Sequence, residues 1–191
     1  MPERRVDDPL GLRFLSELSP PDNLSREIGF YLAGMEEVSE QVREAVADLA
    51  GEKFNRPAFP GAHSIGALVM HIGEAEWWWM QCNVAGHKLT AEDRKAPFWA
   101  VLDEPDAFAS RAYTAEFCLQ EIEKIRNQTR ELLASFNDND LEGIISYQKR
   151  GVTHDQSLRW ILHHLIDHEA QHKGQILMLK RLLGLKHEPA S

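Results

Sequence analysis

From Leu158 to Leu182 the chain places an apolar or histidine side chain at every third or fourth position, with no proline and one glycine, Gly174. That period lines up one face of a helix, and a helix with one apolar face must bury it against other helices. The stripe reads Leu158, Ile161, Leu165, His168, His172, Gln175, Leu179, Leu182. It is apolar at both ends and polar in the middle. A core tolerates an imidazole only where its nitrogens find partners, so two in succession point to a shared ligand.

Three more stretches carry the same period. Ile28, Leu32, Met35, Val38, Val42, Ala45 and Leu49 predict a first helix over 24–49. A second is predicted over 64–83, and a third over 106–136 through Phe117, Cys118, Ile122, Ile125, Leu132, Leu133 and Phe136. The fourth is predicted from 153 to 183, with Thr153 as N-cap, Gln156 completing a capping box and Gly184 at C′. Ile144–Tyr147 reads as a brief extended piece before it. The segment 84–105 exceeds the usual 2–8 residues of a helix-helix link and suits a connection running along a bundle, with a helical turn near Thr90–Asp93. The fold class is therefore all-α, a four-helix bundle. Residues 1–22 read as an irregular arm, 23–185 as the bundle and 186–191 as a tail.

The charge of −9 argues against a phosphate-backbone partner. No stretch reaches the roughly 20 apolar residues of a membrane span, and the N-terminus lacks a signal-peptide pattern. The expectation is a cytoplasmic protein. Cys82 and Cys118 fit no metal or redox spacing and read as buried thiols.

Four histidines crowd into "HHLIDHEAQHKGQ", residues 163–175. At about 100° per residue, His168 and His172 straddle the buried seam and converge across one turn. His164 lies about 40° from His168, at a pocket edge, and His163 about 140° away, facing out. Asp167 and Glu169 are expected at the surface. Gln175 lies on the seam as a group that orients a ligand or substrate. An HxxxH pair needs a third ligand. His71 supplies it from the second helix, flanked by apolar residues, whereas His63, His87, His154 and His187 read as solvated. Three imidazoles suit zinc, nickel, iron or copper better than magnesium or calcium and leave a position open. Glu74, one turn after His71, is a candidate general base on bound water or an acceptor for an imidazole N–H. In "EWWWMQC", Trp78 is expected to wall the site. Trp77 and Trp79 are expected to pack on other helices or a second subunit, because successive helical residues point in different directions.

"HSIGALVMHIGEAEWWW" and "SLRWILHHLIDHEAQHKGQI" resemble the DinB/YfiT-like family of small bacterial metalloproteins over about residues 24–183. The resemblance implies a bundle of up-down-down-up topology. It implies a metal triad at His71, His168 and His172, with zinc or nickel bound, and a homodimer. It also implies chemistry with low-molecular-weight thiols such as bacillithiol or mycothiol. The expected function is a metal-dependent thiol S-transferase or hydrolase acting on a small molecule in stress response or detoxification. The alternative is a non-catalytic stress-response protein whose metal braces the bundle; a fourth protein ligand, His164 or Glu74, would favour it.

Overall fold

The computed structural model describes residues 4–5, 14–103 and 105–185. Of the expected N-terminal arm, only Arg4–Arg5 and Phe14–Leu15 (β1 and β2, paired antiparallel) and the residues from Ser16 onward are described; the tail at 186–191 lies outside the described residues. The helices are α1 (Arg26–Val46), α2 (Gly51–Asn55), α3 (Ile65–Trp77), α4 (Pro105–Ser110), α5 (Ala115–Leu133) and α6 (Leu158–Leu182). Four of them, α1, α3, α5 and α6, are long and pack on one another, each touching two neighbours: α3 on α5 and α6, α1 on α6 and α5.

Paired residues fix how these helices face. Between α1 and α6 they ascend together, from Glu27–Arg159 through Ser39–Glu169 to Asp48–Lys180 just past the end of α1. They also ascend between α3 and α5, where a Cβ on Gly73 would lie 2.6 Å from Ile122 Cγ2 and Glu76 binds Arg126. They descend between α3 and α6, where His71 faces His172 and Trp79 faces Trp160. Gly73 thus permits a close approach of α3 to α5 that a methyl group would obstruct.

The expected helix starts are corrected at two places. The third predicted helix is two. It breaks after Ser110, Ala112 takes φ +50°, and Thr114 restarts it by accepting from the Phe117 amide at 3.1 Å. The fourth begins at Leu158, capped by Ser157, whose Oγ accepts from the Trp160 amide at 3.2 Å. Thr153–Gln156 are strand residues, not a cap. β3 (Ile144–Lys149) pairs antiparallel with β4 (Val152–Ser157) through Arg150-Gly151, both at positive φ. Two such residues form the turn whose twist matches a hairpin. The expected extended piece is one strand of that hairpin. At the far end the Gly184 amide donates to Arg181 O and the Leu185 amide to Lys180 O, with Gly184 at φ +68°, the expected glycine-terminated helix end.

The core is two apolar clusters stacked along the bundle. One holds Val42–Leu49, Ile65–Ile72, Cys118–Ile125 and Ile176–Leu179; the other holds Ile28–Met35, Trp79–Met80, Leu133 and Leu158–Leu165. Between them every long helix contributes polar residues: Ser39, Glu76, Arg126, and His168, Glu169 and His172.

The seam of α6 is wider than one line because α6 is covered on two sides. Glu169, Ile176 and Lys180 are buried beside α1, whereas Gln175 and Leu182 are exposed. Glu169 is therefore a core residue and not the expected surface carboxylate; Asp167 and His163 do lie at the surface. Cys118 is buried and its thiol is pushed up to about 12 by burial, while Cys82 is only half-buried. No helix among the described residues is long and apolar enough to cross a membrane.

Candidate metal centre

α3 and α6 run past each other with His71 opposite His168 and His172. One ring nitrogen from each histidine lies within 4.8 Å of the others, the one such grouping of histidine, cysteine and acidic side chains among the described residues. The Nε2 atoms of His168 and His172 are 3.1 Å apart. Ring centroids are 5.2 Å (His71–His168), 5.0 Å (His71–His172) and 4.4 Å (His168–His172). All three rings are half-buried.

Each outer ligand has an orienting acceptor. Glu74 Oε2 is 3.1 Å from His71 Nδ1, and Gln175 Oε1 is 2.8 Å from His172 Nδ1. An acceptor at Nδ1 places the hydrogen there and turns the lone pair of Nε2 inward. The other Glu74 oxygen accepts from the Ala100 amide at 2.6 Å. Both oxygens are thus engaged, one on the ligand and one on the segment that covers it. Ala100 holds φ +53°, a conformation unfavourable for a residue with a Cβ.

Burial pushes the His168 imidazole down to about 3, and neighbouring His172, His71 and His164 add to it; burial also lowers His172. Both rings are neutral at pH 7 and offer lone pairs. Between histidine's ordinary 6.5 and about 3, the unfolded chain binds a proton at position 168 that the folded chain refuses. The metal-free protein is therefore expected to keep this stability above about pH 6.5 and lose it as the pH falls toward 3. Urea midpoints in chelator across that range should fall less steeply with pH in a His168→Gln variant, which keeps only the share that His172 contributes.

A cavity of about 360 Å³ opens beside His71, lined by Glu74, Trp78, Trp79, Trp99, Lys149 and His164 among others. It includes four of the expected site residues: His71, Glu74, Trp78 and His164. Gln175 is not in it and meets the centre from the exposed side of His172. His164 lies face to face with Trp160 (centroids 4.8 Å) and edge-on to Trp79, 5.8 Å from His168.

The wall residues outside the sequence-based expectation include Trp79, Trp99, Asp103 and Lys149. Trp79 shares the cavity with Trp78 because α3 widens into a π-helix over Trp78–Val84. Such turns change the angular step between successive side chains and recur at functional sites. A larger open groove of about 770 Å³ between α1 and α5 holds none of the histidines.

None of the other described histidines joins the triad as a ligand, although His63 lies near enough to His172 to act on its charge. His63 is half-buried at the start of α3, not solvated as expected. His87 pairs with Asp93 at 2.9 Å, and His154 stacks on Tyr147. His187 lies outside the described residues.

Three imidazoles at these separations fit one transition-metal ion at bond lengths of about 2.0–2.1 Å, after small rotations of the rings. With Glu74 turned to Nδ1 and His164 outside the cluster, neither expected fourth ligand reaches it.

No curated protein sequence matches the chain. Two solved structures share its fold. One is a DinB-like protein from Bacillus cereus, 20% identical, with TM-score 0.61, covering 85% of this chain and 96% of its own. The other is YfiT from Bacillus subtilis, described as a probable metal-dependent hydrolase with an unusual four-helix bundle topology. It is 15% identical, with TM-score 0.57, covering 90% of this chain and 97% of its own. The family model for mycothiol-S-transferase matches residues 32–183. The chain thus belongs to the mycothiol-S-transferase family, within the DinB/YfiT-like proteins.

Proposed function

We propose that residues 23–185 form a metal-dependent thiol S-transferase, with His71, His168 and His172 holding one divalent ion, zinc or nickel. A low-molecular-weight thiol and an electrophilic small molecule are its substrates. The observation that carries this reading is the convergence of His71, His168 and His172, with His71 on the wall of an aromatic cavity and no fourth protein ligand among the described residues. An ion held by three nitrogens supplies a Lewis acid with an open position, which acidifies a thiol or a water.

The chain's own residues do the rest. Glu74 fixes the tautomer and tilt of His71 and ties down the Ala100 segment, which favours the imidazole acceptor of the two roles expected from sequence. Gln175 does the same for His172. Trp78, Trp79 and Trp99 exclude water and pack the apolar body of a substrate. His164 and Lys149 stand at the cavity wall, within reach of a polar substituent. The ascending and descending contact pairs support the up-down-down-up order of the helices. A homodimer is the assembly the family resemblance favours.

YfiT's description as a hydrolase supports a second reading, in which water replaces the thiol. The deciding experiment loads the protein with zinc or nickel and supplies mycothiol, bacillithiol or no thiol, with a haloalkyl or an ester electrophile. Metal-dependent conjugate formation with one thiol is expected. Ester cleavage without thiol would establish the hydrolase. Neither activity, together with a large thermal stabilisation by metal, would leave the ion as a brace.

A further inference from the structure

Beneath the histidines lies a charged layer that the proposed chemistry does not use. Arg126 on α5 donates through Nε and Nη2 to both oxygens of Glu76 on α3, at 2.8 Å each, and through Nη2 to Glu169 on α6 at 3.1 Å. Ser39 on α1 donates to the other Glu169 oxygen at 2.8 Å. One residue comes from each long helix, and the three charged side chains are 3–5% exposed. A small void is lined by Glu76, Arg126, Glu169 and His168 together with Met35, Ile72 and Leu165. The layer and the triad therefore share one level of the bundle, between the two apolar clusters.

Stability alone does not account for this layer. Well-packed apolar side chains of similar volume stabilise a core as well as or better than a buried ion cluster. Nor is the cluster built to satisfy itself, since Arg126 Nη1 is buried without a hydrogen-bond partner. Its composition, two carboxylates to one guanidinium, leaves an excess of negative charge beside His168, which lines the same void. Imidazole ligates a metal as a neutral ring, so a dication bound to these three enters a half-buried site with no ligand charge to balance it. In such surroundings fixed charges act strongly over short distances.

We infer that the Glu76–Arg126–Glu169 layer positions the metal electrostatically: it is the built-in counter-charge for a dication held by His71, His168 and His172. This rests on the metal-binding reading above. Glu169 and Glu76 are positioning residues here, since neither touches the ion.

The test measures zinc dissociation constants of the full chain by competition with a chromogenic chelator, and the melting temperature in chelator. Glu169→Gln keeps the shape and can remake both hydrogen bonds, with Ser39 now accepting. It leaves the Glu76–Arg126 pair neutral overall. Zinc binding is expected to weaken at least tenfold while the metal-free melting temperature holds or rises. Asp167→Asn removes a carboxylate from the exposed face of the same helix and should change the constant less than twofold. Glu76→Gln, read in the same assay, serves if Glu169→Gln does not fold. A purely structural layer predicts the reverse, a lower metal-free melting temperature with an unchanged zinc constant, and that result overturns the inference. If the wild type binds no zinc, the metal reading fails with it. If the wild type binds and the glutamine variants bind equally well, only the counter-charge role fails.

Discussion

A His168→Ala variant is expected to lose stoichiometric zinc or nickel, with affinity falling well beyond the roughly 10–100-fold that follows loss of an outer-shell partner. The reason is geometric. His168 supplies one of the three converging nitrogens, 3.1 Å from His172 through their Nε2 atoms and 5.2 Å from His71 between ring centroids. Without it, His71 and His172 offer two nitrogens from different helices, one short of the three protein ligands an open transition-metal site ordinarily uses. Elemental analysis of the purified variant reads the loss directly. Thermal melting gives an independent reading, because a ligand bound only to the folded state adds about 2.7 kcal/mol at 100 times its dissociation constant. The wild type should show a metal-dependent rise in melting temperature and the variant none. His163→Ala is the control, on the same helix but exposed, and should keep both metal and shift. Retained stoichiometric metal in His168→Ala would remove the triad as the metal site.

That contrast was legible in sequence because helical phase sorts the crowded histidines. His168 and His172 share a face and His163 does not, and nothing in the tertiary structure alters that angle. The bundle was legible for the same reason: long runs at the helical period leave no other way to bury their apolar faces. What escaped depends on contacts made outside the local helix. Glu169 points about 100° away from its neighbour His168 on the helix, which reads as a surface position until α1 covers that side, and its partner Arg126 is 43 residues away in the chain. The hairpin hid its second strand because Thr153 and Gln156 also satisfy a helix-cap pattern, while the pairing with Ile145–Gln148 that overrides it is not local. Trp79 was assigned away from Trp78 on regular α geometry, which the π-helix at Trp78–Val84 breaks.

Replacing Arg126 with methionine should be the most destabilising single change in the bundle. The guanidinium holds two carboxylates that are otherwise buried without a cation. Burial pushes the Glu169 carboxyl up, and Arg126 and Ser39 pull it back. Removing one member of a buried ion cluster costs about 3–5 kcal/mol, because the charge left behind stays desolvated. At roughly 2–4 °C per kcal/mol for a domain of this size, the melting temperature in chelator should fall by about 6–20 °C. Methionine keeps most of the side-chain volume, so a cavity adds little to that loss. The metal dependence of the variant then separates two roles for the layer. If the carboxylates only brace the helices, added zinc raises the melting temperature of Arg126→Met by no more than it raises that of the wild type. If they face the ion as its counter-charge, the two carboxylates freed of arginine bind the dication more strongly, and zinc restores a larger share of stability to the variant than it adds to the wild type. Arg130→Met is the reference, since that arginine pairs with Glu36 and Glu123 in a half-exposed position. Surface pairs contribute about 0–1 kcal/mol, so it should melt within a few degrees of the wild type with the same response to zinc.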